Sequence, residues 1–138
     1  MGDKQKLFVY GTLKRGHRLH GFLNGQKYLG EYHTAPNFDI LDYGEGIFPV
    51  VVLKKKGFKI KGELYEVDPT AWSLTDRLEI GAGYKPVTIS LIPDDKDSKE
   101  LHVKATMYVY TDEVNLEMSD SFIIVKDNMK EWKHGRMW

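Results

Sequence analysis

Apolar and polar positions along this chain fall mostly into short runs and alternations of the β-strand kind. Six segments, Leu7–Tyr10, Gln26–Tyr32, Ile47–Leu53, Phe58–Val67, Pro86–Ile92 and Leu101–Tyr110, are rich in β-branched and aromatic residues, which suit a pleated, half-buried surface. Leu7-Phe8-Val9-Tyr10 is a continuous apolar run and reads as a buried strand. Phe58, Ile60, Gly62, Leu64 and Glu66 alternate with Lys59, Lys61, Glu63 and Tyr65, a mostly half-buried pattern. The polar tract Pro93–Glu100 separates two strands and predicts an exposed hairpin loop. Lys54-Lys55-Lys56-Gly57 reads as a solvated turn rather than a nucleic-acid patch.

Two helices are expected. Asp68-Pro69-Thr70 is a good start, because aspartate at the N-cap accepts an N–H bond and proline suits the first helical position. Ala71, Leu74 and Leu78 then share a face, and Gly81 and Gly83 supply the stop. A second helix is expected from Ser119 or Asp120, with Phe122, Val125, Met129 and Trp132 recurring at helical spacing as its packing face. No repeat or linker interrupts the chain. The fold class is therefore α+β: a mainly antiparallel, barrel-like sheet with few helices, in a single domain over residues 1–138. An ordinary β-barrel of another kind is the alternative.

Composition narrows the function. At 138 residues with 41% hydrophobic content, one compact domain is expected. There is no cysteine, which removes disulfides, thiol nucleophiles and thiolate metal sites. Twenty basic residues balance twenty acidic ones, without the basic excess usual for nucleic-acid binding. No run of apolar residues is long enough for a membrane helix. Met1–Lys6 lacks the apolar core of a secretory signal, so a cytoplasmic location is expected.

Chemistry concentrates in two places. The first strand stops abruptly at Gly11-Thr12 and opens into a polar loop that ends at Gly16. Glycine permits a tight turn close to a ligand, and successive N–H groups there form a concave donor set for an anion or a carbonyl oxygen. The plainer alternative is a first strand ending in a glycine turn. The second place is Glu79, at the predicted end of the first helix, where the dipole disfavours a carboxylate. Asp76 adds a like charge one turn earlier, and both influences raise a glutamate pKa toward neutrality. A solvated glutamate is the alternative. Lys14 and Arg15 border the loop, either drawing a substrate carboxylate or simply forming its wet face.

Phe8-Val9-Tyr10-Gly11-Thr12-Leu13-Lys14-Arg15-Gly16 resembles the opening signature of the γ-glutamylcyclotransferase-like family, especially its γ-glutamylamine cyclotransferase and AIG2-like branches. Lys61-Gly62-Glu63-Leu64-Tyr65-Glu66-Val67-Asp68 resembles the family's central strand. Leu74-Thr75-Asp76-Arg77-Leu78-Glu79, with Tyr84 following, resembles the segment that carries its catalytic glutamate, and Thr106-Met107-Tyr108-Val109-Tyr110 its late aromatic strand. The resemblance implies closure of a γ-glutamyl compound to 5-oxoproline with release of the amine. Glu79 would then be the acid–base residue. The N–H groups of Gly11, Thr12 and Leu13 would hold the substrate, and Tyr10, Tyr84 and Tyr110 would line the pocket. The nucleophile belongs to the substrate, a small molecule, so no serine or cysteine nucleophile is needed. No metal or organic cofactor is expected, because the chain lacks cysteine, a dense His/Asp ligand cluster and a Rossmann or phosphate-loop glycine pattern. A binding module that keeps the pocket without turnover is the alternative function, and a lyase or amidohydrolase acting on another acyl-amine is a third.

Two departures stand out. Gly16-His17-Arg18-Leu19-His20-Gly21 occupies the place where members often carry an asparagine or a His-Asn pair. His17 and His20 invite a metal reading, but no nearby third ligand completes it. Tyr84-Lys85-Pro86 stands where Tyr-x-Arg is usual, so a guanidinium contact is lost and the substrate class stays open.

Overall fold

A computed structural model of the chain describes residues 4–15, 19–43, 48–99, 102–110, 118–119 and 123–133. Its strands are β1 (Gln5–Val9), β2 (Lys27–Thr34), β3 (Phe38–Tyr43), β4 (Phe48–Leu53), β5 (Lys59–Val67), β6 (Tyr84–Pro93), β7 (Val103–Tyr110), β8 (Met118–Ser119), β9 (Ile123–Lys126) and β10 (Met129–Trp132). One α-helix, α1 (Pro69–Gly81), and a short 3₁₀ turn over His20–Leu23 complete the described elements.

Five strands close on themselves. The order β1-β7-β6-β2-β5 returns to β1 through an antiparallel β1–β5 ladder, and only the β1–β7 edge is parallel. Closure leaves no free edge within the ring. A hairpin of β3 and β4, extended by β8, forms a second sheet, and β10 with β9 adds to the outside of β5. This is the barrel-like α+β architecture expected from the sequence.

The all-apolar first strand is explained by burial on two sides. Phe8 and Tyr10 face a cluster with Ile60, Leu64, Met107 and Val109, closed over by Ile40 and Val51 of the β3–β4 hairpin. Leu7 and Val9 face a second cluster with Tyr65, Val67, Ala71 and Tyr108, between the barrel and α1. Gly62 of β5 is dictated by the same packing: a Cβ there would lie 2.3 Å from the Val9 carbonyl oxygen. The β6–β7 hairpin carries its polar connection at the tip, as predicted, within the residues described.

The start of α1 behaves as its sequence dictates. The Asp68 carboxylate accepts the Ala71 N–H at 2.8 Å, and Pro69 occupies the first turn. Gln26 fixes this cap by donating to Asp68 Oδ2 at 3.1 Å and accepting the Asp68 N–H at 2.8 Å. The helix ends at Gly81, and Gly83 follows with a positive φ of 97°. The buried stripe differs from expectation, however. Ala71 and Thr75 are buried, whereas Leu74 is 50% exposed and faces away from the barrel.

Two expectations need correction. The segment around residues 119–132 is not a helix: Ser119 lies in β8, and β9 and β10 form an antiparallel hairpin, while Asp120 and Phe122 lie outside the described residues. Asp127 and Asn128 both take positive φ, 53° and 60°, which is the two-residue hairpin turn that asparagine and aspartate tolerate best. Trp132 is buried while Val125 is 55% exposed, so the helical spacing of these residues never becomes one face. The second correction is β3, which the sequence pattern did not predict. Its Asp42 is fully buried and accepts the Trp132 indole N–H at 2.9 Å.

Candidate active site

A cavity of about 160 Å³ opens where the exit of β1, the start of β4 and the last turn of α1 converge. Tyr10, Gly11, Thr12 and Leu13 form one wall, Phe48 and Pro49 a second, and Leu78, Glu79 and Ala82 a third, with Tyr84 and Tyr108 at the base.

The first wall takes its shape from Gly11. A Cβ at this position would stand 2.4 Å from Pro49 Cγ, so only glycine lets the chain pass the proline ring. The Lys14 N–H donates to the Gly11 carbonyl at 3.0 Å and closes the turn, and the Leu19 N–H donates to the Thr12 carbonyl at 2.9 Å. Two of the three N–H groups expected to form a donor set, those of Thr12 and Leu13, are without an acceptor among the described residues, and both residues line the cavity.

Opposite the loop stands Glu79. No donor or cation among the described residues pairs with its carboxyl group, and burial pushes its pKa up to about 7. The direction agrees with the sequence reading but the cause does not. Burial does the raising, rather than the helix dipole or Asp76. Asp76 is engaged elsewhere, accepting the Tyr108 hydroxyl at 2.6 Å.

The tyrosines brace the cavity with their hydroxyls. Tyr10 donates to the Tyr108 carbonyl at 2.6 Å, and Tyr84 donates to the Pro49 carbonyl at 2.7 Å. Burial raises the phenol pKa of Tyr10, Tyr84 and Tyr108 alike, with the Asp76 bond adding to the effect at Tyr108. These groups therefore stay neutral across the physiological range. Tyr110 does not line the cavity. Its ring meets Tyr84 edge-on at 5.5 Å and packs over Gly83, so it supports the base from behind.

Lys14 and Arg15 both turn away from the cavity. The Lys14 ammonium is buried and donates to the Trp132 carbonyl at 2.7 Å, with Glu131 at 3.7 Å. Burial lowers its pKa. The Arg15 guanidinium lies over the Tyr28 ring at 3.9 Å and beside Glu63. His20 sits with Nδ1 at 2.9 Å from the Leu13 carbonyl oxygen, which commits that nitrogen to the loop, while His17 lies outside the described residues. Lys85 and Pro86 are exposed on β6, and neither lines the cavity.

Across residues 7–133 the chain matches the family described as gamma-glutamyl cyclotransferase, AIG2-like. The chain belongs to that family. A Pyrococcus horikoshii protein provisionally named a γ-glutamylcyclotransferase is 39% identical over 90 residues, 62% of this chain and 68% of its own length. The γ-glutamylaminecyclotransferase of Rattus norvegicus is 35% identical over 79 residues, and the match spans 53% of each chain. The chain thus aligns with only about half of the rat protein's length. Among solved structures, a P. horikoshii protein superposes with a TM-score of 0.63 at 27% identity, covering 85% of this chain and 86% of that one. An AIG2-like protein of Mus musculus superposes with a TM-score of 0.73 at 22% identity over 83% of this chain and 82% of its own, a likeness of fold.

In this AIG2-like chain the cavity is lined by three residues that the sequence did not single out, Tyr108, Pro49 and Phe48. Tyr108 lies within a stretch noted only as an aromatic strand, two residues before the tyrosine that was chosen. Residues two apart share a strand face, so choosing between them required knowing how far β7 extends past Tyr84. Pro49 and Phe48 reach the site from β4, a strand whose position relative to β1 no local pattern encodes.

Proposed function

We propose that the chain is a γ-glutamyl cyclotransferase that closes a γ-glutamyl amine or peptide to 5-oxoproline and releases the free amine. The observation that carries this reading is the half-buried Glu79 carboxyl, which no donor among the described residues pairs, facing the Gly11–Leu13 loop across one small cavity. The substrate's α-nitrogen attacks its own γ-carbonyl carbon, forming the ring C–N bond. Glu79 takes a proton from the α-ammonium. The tetrahedral oxyanion that results accepts N–H bonds from the Thr12–Leu13 segment, and one such donor is typically worth about 2.7–4 kcal/mol. Glu79 returns the proton to the departing nitrogen as the amide C–N bond breaks, and the second proton of the ring nitrogen passes to the released amine, so the net products are a neutral lactam and an ammonium. Holding amine and carbonyl in attack geometry can supply up to roughly 7–11 kcal/mol of the barrier. A pKa of about 7 suits a group that must both accept and return a proton near neutrality.

The test is to incubate the protein with a panel of γ-glutamyl amines and γ-glutamyl peptides and to assay 5-oxoproline and released amine together. Equimolar release of both from at least one panel member is expected. Binding without turnover across the panel would reassign the chain to a non-catalytic module.

A further inference from the structure

The loop that forms the donor wall begins and ends on one residue. Val9, the last residue of β1, pairs across the β1–β5 ladder with Glu63. The chain then leaves the barrel, passes the cavity through Gly11–Leu13, and returns so that the Arg15 N–H donates to Glu63 Oε1 at 2.9 Å. The same oxygen accepts the Tyr65 hydroxyl at 3.0 Å, which holds the carboxylate in place from its own strand. Both feet of the arch therefore stand on Glu63, one through its main chain and one through its side chain.

We infer that Glu63 is a positioning residue: through the Arg15 N–H it fixes the arch so that the Thr12 and Leu13 N–H groups point into the cavity. Its carboxylate does not line the cavity, so it touches no reacting atom. Other bonds hold the middle of the arch: the Leu19 N–H on the Thr12 carbonyl, His20 on the Leu13 carbonyl, and the Lys14 ammonium on the Trp132 carbonyl. The returning backbone at Arg15 is bonded to Glu63. The Arg15 side chain is about half exposed, and its nearest approach to the Glu63 carboxylate is 3.7 Å, too long for a direct hydrogen bond. An exposed ion pair of that length contributes little, so the backbone bond is the tether and the guanidinium an accessory. Glutamine at 63 keeps an acceptor oxygen for both donors, whereas alanine removes it.

The inference rests on the cyclotransferase reading only for its kinetic consequence. The measurement that decides it is amide hydrogen exchange at Lys14 and Arg15, whose N–H groups are the hydrogen-bonded ones of the arch. Glu63→Ala should accelerate exchange there by tenfold or more while β1 and β5 amides keep their protection, which also shows that the variant is folded. Glu63→Gln and Arg15→Ala should exchange within about threefold of the parent. With a turned-over substrate, Glu63→Ala should raise KM at least tenfold and leave the kinetic pKa of Glu79 in place, and Glu63→Gln should restore KM. Unchanged loop exchange in Glu63→Ala, or equal acceleration in Arg15→Ala, overturns the inference. Accelerated loop exchange in a protein that turns over no γ-glutamyl compound would instead sink the proposed activity and leave Glu63 in its role.

Discussion

The Tyr84 hydroxyl donates to the Pro49 carbonyl at 2.7 Å, and this bond ties the first residue of β6 to β4 beneath the cavity. The residue that follows the glutamate segment thus holds the proline against which Gly11 is fitted. Tyr84→Phe should leave that buried carbonyl without its donor and destabilise the fold by about 1–3 kcal/mol. Urea unfolding with an unchanged m-value would report it, and a variant as stable as the parent would mean that the bond carries no net weight.

Gly11 admits no side chain. Gly11→Ala places a methyl group within 2.4 Å of the Pro49 ring, and Gly11→Val adds a branched side chain to the same clash. Binding of 5-oxoproline or a γ-glutamyl compound, followed by calorimetry, should weaken at least tenfold for alanine and vanish for valine, with folded spectra for both. Parent-like affinity in Gly11→Val would take this loop out of the site.

Glu79→Gln should lower turnover by about 10²–10⁴-fold with little change in affinity, because glutamine keeps the shape and cannot carry the proton. The parent rate should climb with pH through a kinetic pKa near 7, because the proposed mechanism uses the carboxylate as its base. Turnover above about a tenth of the parent value would reject Glu79 as the acid–base group.

The same residue links stability to pH. Its carboxyl titrates near 7 when folded, against an ordinary value of 4.5. Between those values the folded state holds a proton that the unfolded state has lost, so stability falls as pH rises across the window and the full cost stands above it. Glutamine has no such cost. Glu79→Gln should therefore melt higher than the parent at pH 8, by the equivalent of roughly 1–3 kcal/mol, and match it at pH 4. An advantage that persisted unchanged at pH 4 would assign the effect to packing instead.

Dialysis against a strong chelator should leave the proposed cyclotransferase activity intact. Among the described residues no group of three potential ligands gathers, and His20 spends one ring nitrogen on the Leu13 carbonyl. Activity that fell and returned with zinc or manganese would bring His17 and His20 back as ligands.

Local signals proved readable where the physics is local. The Asp68–Pro69 helix start, the glycine break after Tyr10 and the β5 alternation each depend on a few neighbouring residues, and each appears in the structure. The C-terminal hairpin was misread because Val125, Met129 and Trp132 happen to recur at helical intervals. The Asp127-Asn128 pair was the better clue, since both residues tolerate the positive φ that a two-residue turn demands. Strand β3 escaped because Asp39 and Asp42 break its apolar pattern, and their reasons lie far along the chain. Lys130 reaches Asp39 at 2.8 Å and Trp132 reaches Asp42 at 2.9 Å. For the same reason Lys14 looked like a surface cation. Its carbonyl acceptor at Trp132 lies 118 residues away, and nothing in the loop announces it.

That separation also sets an order of assembly. During synthesis the opening loop leaves the ribosome long before residue 132 exists, and until then the Lys14 ammonium has no buried acceptor. Keeping it hydrated holds the loop out in water, because burying an unpaired cation is costly. The wall of the cavity therefore sets only after β10 has emerged and docked, and a nascent chain stalled short of Trp132 would carry the loop without its Lys14 anchor.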